Sequence, residues 1–206
     1  MLNILIMIKT YIKRENYLKQ VRPFMDKDVI KVIVGQRRVG KSFLLYQLMG
    51  EIKKKNKQAN LIYINKELHD FQGITNSGEL VKYVKAKSDH QQKTNYVFID
   101  EIQDIAEFEK ALRSLNAAGK YDIYCTGSNA KLLSGELATL LGGRCIEIPV
   151  YSLAYPEFLK FHNLPDDNGS LSKFLKYGGL PYLMHLELSD PIVYDYLRNV
   201  YSAILL

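Results

Sequence analysis

Two stretches of this sequence bring together the residue types that phosphate chemistry needs. The first, Gly35-Gln36-Arg37-Arg38-Val39-Gly40-Lys41-Ser42-Phe43, satisfies the phosphate-loop pattern G-x-x-x-x-G-K-[ST] in full. Its glycines let the backbone curl so that successive N–H groups point inward, and a helix starting there adds positive potential. Lys41 supplies an ammonium for the β- and γ-phosphates, and Ser42 a hydroxyl for the Mg²⁺ that bridges them. ATP with Mg²⁺ is therefore the expected ligand. Arg37 and Arg38 could touch phosphate oxygens, or could turn to solvent or to a nearby carboxylate.

The second stretch, Tyr96-Val97-Phe98-Ile99-Asp100-Glu101, is an apolar run ending in two carboxylates. Neighbouring side chains on a strand point to opposite faces, but the chain turns at the strand's end, so both carboxylates can approach a nucleotide there. Asp100 then serves the metal and Glu101 polarises the attacking water. Acidic residues after a strand also cap helices. The phosphate loop upstream favours the catalytic reading.

Short apolar runs alternate with longer stretches of helical period, the pattern of an α/β fold with a parallel sheet wrapped by helices. Buried strands are expected over Val29–Val34, Leu61–Ile64, Tyr96–Ile99, Tyr121–Thr126 and Cys145–Ile148. Leu44, Leu45, Leu48 and Ile52 mark one face of a helix over Lys41–Lys55, and Ile105, Phe108, Leu112 and Leu115 mark another over Ile105–Leu115. A third helix starts at Asn76 or Ser77 and runs toward Ser88, with an exposed loop over Lys87–Asn95. After Pro149 the alternation stops. Helical stretches follow at Tyr155–His162, Leu171–Tyr177 and Ile192–Leu205, broken at Pro165–Ser170 and Gly178–Pro181. The expected division is a core over 1–150 and a small helical, lid-like appendage over 151–206.

The segments GQRRVGKS, YVFIDEIQD, YCTGSNAKLLS, GGRCIEIPVYSLAYPEFL and YGGLP together resemble a group of prokaryotic AAA-type P-loop ATPases of the additional-strand, catalytic-glutamate class. The resemblance spans nearly the whole chain. It implies a five-stranded parallel sheet of order 5-1-4-3-2. It also implies that Ser128 or Asn129, at the tip of the fourth strand, contacts the γ-phosphate or the lytic water. The competing reading is that one of them caps a helix over Ala130–Leu141. AAA-type ATPases commonly borrow an arginine from a neighbouring subunit of a homo-oligomer, and Arg144, at the threshold of the fifth strand on the loop edge of the sheet, is the candidate. It could instead pair with Glu136 or Glu147 and anchor its loop. Arg113 and Arg198 are further candidates. Members of the group usually continue into a C-terminal domain, in some relatives described as nuclease-like, and a truncation at Leu206 is expected. In this strand order Cys125 and Cys145 lie at least roughly 9 to 10 Å apart, too far for a disulfide, so both should be free, buried thiols.

Composition narrows the rest. The chain has 206 residues, 47% of them apolar, enough for one substantial core. Its 28 basic and 22 acidic residues leave +6, which, with Lys53, Lys54, Lys55 and Lys57, suits a nucleic-acid partner and equally a solvated helix end. The apolar start MLNILIMI is shorter than the roughly 18 to 20 residues of a membrane span and lacks the layout of a signal peptide. No membrane and a cytoplasmic setting are the expectation. His69, His90, His162 and His185 are scattered and suggest no metal site. A GTPase would need N-K-x-D, which Asn65-Lys66-Glu67-Leu68 does not provide. A small-molecule kinase would need an acceptor lid that is not visible. A nucleotide-gated signalling or recruitment switch with little turnover and, behind it, a P-loop small-molecule kinase stay as alternatives to an ATPase.

Overall fold

The structure, a computed structural model, describes residues 11–128 and 139–205. It divides into two compact units. One runs to Gly35 and resumes over Lys41–Val150, and the other takes Gln36–Gly40 and the chain from Tyr151 onward. The apolar segment 1–8, Asn129, and most of the helix expected over 130–141 lie outside the described residues.

In the first unit, β1 (Ile30–Val34), β2 (Asn60–Asn65), β3 (Asn95–Asp100), β4 (Tyr121–Gly127) and β5 (Cys145–Pro149) form one sheet of order β2-β3-β4-β1-β5. Every neighbouring pair is parallel. This is the expected 5-1-4-3-2 order. The three inner strands are buried almost throughout. β2 and β5 are only half-buried, contrary to the expectation of five buried strands, because an edge strand has a neighbour on one side alone. Cys145 shares this partial exposure, whereas Cys125 is fully buried, and both thiols are free. Burial pushes both thiols up, so they behave as small apolar side chains.

Helices cover the sheet: α1 (Glu15–Val21), α2 (Lys41–Lys55), α3 (Ser77–Lys87) and α4 (Phe108–Ala117). Val32, Val97, Ile99 and Ile123 of the strands pack with Leu80 and Val84 of α3 and with Leu112 and Leu115 of α4. Asn76 caps α3, its side-chain oxygen accepting from the N–H groups of Gly78 and Glu79 at 3.0 and 3.1 Å. The helix read as Ile105–Leu115 starts later, at Phe108. Glu107 before it adopts the left-handed φ of 54°, and Ile102–Asp104 forms a separate 3-10 turn. α1 had no strong sequence signal. It is fastened to α2 by Arg22, whose guanidinium donates to Glu51 at 3.0 and 2.6 Å.

The second unit contains α5 (Tyr155–His162), α6 (Asn168–Tyr177), a 3-10 turn over Pro181–His185, and α7 (Asp190–Leu205). Phe158, fully buried, packs its ring 5.3 Å from that of Phe174. Tyr177, Leu183 and Val193 form a small core of their own. Of the two glycines in YGGLP, Gly179 has a steric cause. A Cβ at Gly179 would lie 2.3 Å from the carbonyl oxygen of Leu153, because the Leu153 N–H donates to the Gly179 carbonyl at 2.6 Å. No helix among the described residues is long and apolar enough to cross a membrane.

Candidate functional site

At the carboxyl end of β3 the backbone turns sharply. Glu101 takes φ 56° and ψ 56°, a left-handed conformation that non-glycine residues adopt mainly where the surroundings enforce it. Thr126, at the end of β4, enforces it. Its hydroxyl donates to Asp100 Oδ1 at 2.5 Å and accepts from the Glu101 N–H at 3.0 Å. One side chain thus fixes both members of the acidic pair.

Asp100 is buried and receives further hydrogen bonds from Ser42 and from Tyr63 Oη at 3.3 Å. Burial pushes its carboxyl above the ordinary Asp range, against the pull of the Thr126, Ser42 and Tyr63 hydrogen bonds. Tyr63 is itself pushed up by burial and by the Asp100 charge, which keeps its hydroxyl a donor. Glu101 Oε2 accepts from Ser128 Oγ at 2.8 Å and from Gln103 Nε2 at 2.6 Å. The Lys41 ammonium stands 3.7 Å from Glu101 Oε1. Lys41, Ser42, Asp100, Glu101 and Ser128, named separately from sequence, thus converge on one place. Thr126, Gln103 and Tyr63 were not foreseen. The β3–β4 register sets Ile99 beside Cys125, so Asp100 and Thr126 follow at the same level; a strand order with register would have found that pair.

Of the loop residues, Gly35 has φ 154° and Gly40 φ 95°, values that L side chains avoid. Val39 is buried, while Gln36 and Arg37 are exposed. The Arg38 guanidinium lies over the ring of Tyr196, 5.6 Å from the centroid. Phe43, 46% exposed, meets the Tyr11 ring edge-on at 4.7 Å.

Arg144 does not join this cluster. It precedes β5, and its carbonyl accepts from the Ile30 N–H at the start of β1 at 2.9 Å, so it occupies the sheet edge opposite the phosphate loop. Its side chain is exposed, and no ion pair among the described residues joins it to Glu147. Glu136, its other candidate partner, lies outside the described residues. Arg113 and Arg198 sit exposed on α4 and α7. No cluster of three or more His, Cys, Asp or Glu that could hold a metal occurs among the described residues.

A parallel sheet of this order, with the loop after β1 and the acidic pair after β3, defines a P-loop nucleoside-triphosphatase fold. A family model for the AAA domain matches residues 27–159, and the chain belongs to that family. An uncharacterised protein of Haemophilus influenzae is 38% identical over 205 residues, 97% of this chain and 51% of the relative. The chain thus spans about half the length of that curated relative. AMPPCP-bound DnaA from Aquifex aeolicus aligns with a TM-score of 0.55 at 16% identity, over 86% of this chain and 61% of that one. The Aeropyrum pernix ORC1 protein in complex with DNA gives 0.53 at 12% identity, over 93% of this chain and 66% of that one. At such identities the likeness is one of fold.

Proposed function

We propose that this chain binds ATP with Mg²⁺ and hydrolyses it, as the ATPase part of a longer protein whose attached or partner module it drives or gates. The observation that carries this reading is the convergence of Lys41, Ser42, Asp100, Glu101 and Ser128 at the carboxyl edge of the sheet. The Ser42 hydroxyl and the Asp100 carboxylate are oxygen donors of the kind a hard cation takes. When bound, Mg²⁺ neutralises charge shared by the β- and γ-phosphates. Residues Gly35–Phe43 supply the loop and helix start that receive the phosphates, and Lys41 places its ammonium beside them. Glu101 polarises the attacking water, and Ser128, with Asn129, orients it.

Glu101→Gln keeps the shape of the side chain and removes the base. The expected result is ATP binding at native strength with turnover lowered about 10²- to 10⁴-fold. Native turnover in that variant would mean that another group activates the water. Duplex DNA added to the same assay addresses the nucleic-acid partner, and a rate indifferent to DNA removes that partner from the reading. The second reading, a switch with little turnover, has one observation in its favour: Glu101 Oε2 already accepts from Ser128 and Gln103, which occupies lone pairs that a water would use. A native chain that binds ATP yet turns it over no faster than Glu101→Gln selects it.

Arg144 enters as a residue lent to another copy of the chain. The five residues of β1 separate the level of Ile30 from Gly35 by about 16 Å, so its guanidinium serves a neighbour's loop rather than its own. Specific activity should then rise with protein concentration, and mixing Arg144→Ala with Lys41→Ala chains should restore part of the hydrolysis. Activity independent of concentration, with no rescue on mixing, would leave Arg144 a surface residue.

A further inference from the structure

We propose that Arg38 is a positioning residue: held on Tyr196 of α7, it fixes the shape of the phosphate loop and makes nucleotide affinity depend on that helix. The inference rests on the ATP reading above and adds a control to the same loop.

Three observations on the second unit carry it. First, Arg38 has φ 68°, the left-handed region that a residue with a Cβ avoids unless something holds it. Second, what holds it is visible. The guanidinium carbon lies 5.6 Å from the Tyr196 ring centroid, and Arg38 Nη1 donates to Tyr196 Oη at 3.3 Å. Tyr196 is pinned in turn, its ring stacked on Tyr182 at 5.1 Å with 24° between the planes. Third, the turn carrying Tyr182 reaches the other end of the loop, for a Cβ at Gly40 would stand 3.9 Å from Pro181 Cγ. Residues Gln36–Gly40 accordingly group with the C-terminal helices rather than with the sheet.

Arg38 therefore acts through the loop backbone, with its own charge already engaged by an aromatic face. Gly40 is bonded directly to Lys41, so a shape imposed at Arg38 passes along the chain to the Lys41 ammonium and the Ser42 hydroxyl. Linkage makes the effect mutual: if the contact with Tyr196 favours the loop shape that binds ATP, ATP must favour the contact.

The test is equilibrium binding of ATP with Mg²⁺ to the 206-residue chain, with amide hydrogen exchange over Asp190–Leu205 as a second readout. Arg38→Ala and Tyr196→Ala should each weaken binding about five- to tenfold, and the double variant should bind no worse than either, since one contact cannot be lost twice. Tyr196→Phe, which keeps the ring, should lose about twofold. ATP should slow exchange in α7 of the native chain and leave α7 of Arg38→Ala unaffected. A merely structural contact would lower the melting temperatures of the variants and leave their ATP affinities native; that result, or additive losses in the double variant, overturns the inference while leaving the ATP reading intact. A native chain that binds no ATP overturns both.

Discussion

At each end of the central sheet a buried lysine meets a carboxylate, and the two meetings are built differently. At the amino end Lys31 and Asp122, 0% and 2% exposed, form a closed ion pair. Asp122 also accepts from Tyr124 Oη at 2.8 Å and from the Asp26 N–H at 2.9 Å. Lys31 donates to the Val29 carbonyl at 2.8 Å and lies 4.6 Å from the centre of the Tyr124 ring. At the carboxyl end Lys41 and Glu101 form a looser ion pair, 3.7 Å apart and longer than a direct hydrogen bond, and Asp100 is buried with its carboxyl pushed up. The first cluster turns its charges on one another. The second gathers an ammonium, a hydroxyl and two carboxylates at one place, with Lys41 and Glu101 paired at 3.7 Å, an arrangement to which a ligand of both charge signs, a phosphate with its cation, could add.

The largest expected effect comes from replacing each lysine in turn. Lys31→Ala strands a buried Asp122 and should cost about 3–5 kcal/mol in a urea melt. Replacing the pair together, Lys31→Met with Asp122→Leu, should recover most of that loss, because apolar side chains of similar volume need no counter-charge. Lys41→Ala should cost less than Lys31→Ala without nucleotide, because Glu101 keeps its hydrogen bonds from Ser128 and Gln103, yet abolish the stabilisation ATP confers, about 2.7 kcal/mol at a hundredfold excess over Kd. If Lys41→Ala unfolds as readily as Lys31→Ala, or if ATP still stabilises it, the two ends do not differ in the way described.

The two ends were also unequally legible in the sequence. Contiguous motifs, Gly35–Ser42 and Asp100-Glu101, announce the carboxyl end because backbone curvature and strand termini are local properties. Thr126, which fixes both carboxylates, and Tyr63 reach the site through register between strands distant in sequence, and no local pattern encodes register. The amino end was silent for the same reason. Lys31 reads as an interruption of an apolar run, and its partner lies 91 positions away. Secondary structure behaved similarly: α2 follows from its apolar period, while the late start of α4 depends on left-handed turns at Glu101 and Glu107 that residue type does not advertise. Strand order came from the resemblance to AAA-type ATPases, since apolar runs alone do not say which strands are neighbours.

The smallest effect is the most discriminating, and it concerns Asp100 without Mg²⁺ or nucleotide. Burial holds its folded-state carboxyl above the value of about 3.9 it has when unfolded, so the folded chain binds more protons than the unfolded one across that window, and ionisation of Asp100 opposes folding. The stability concerned is fully present below about pH 4 and is lost as pH rises through the raised folded value. Asp100→Asn carries no such charge and still offers an oxygen to the Thr126 hydroxyl. It should therefore match the native chain near pH 4 and exceed it at pH 7 by about 0.5–2 kcal/mol, the usual gain when a charge kept for function is removed. Urea melts at pH 4, 5.5 and 7 measure the trend. Saturating ATP and Mg²⁺ should reverse the order at pH 7, since only the native chain then gains binding energy. Asp122 by contrast is held by the Lys31 ammonium and the Tyr124 hydroxyl, and Asp122→Asn, which strands that ammonium, should destabilise the chain at pH 7. A constant difference across pH for Asp100→Asn, or a variant less stable than native at pH 7, would show that the carboxylate is as well satisfied as Asp122, and the contrast between the two ends would fall with it.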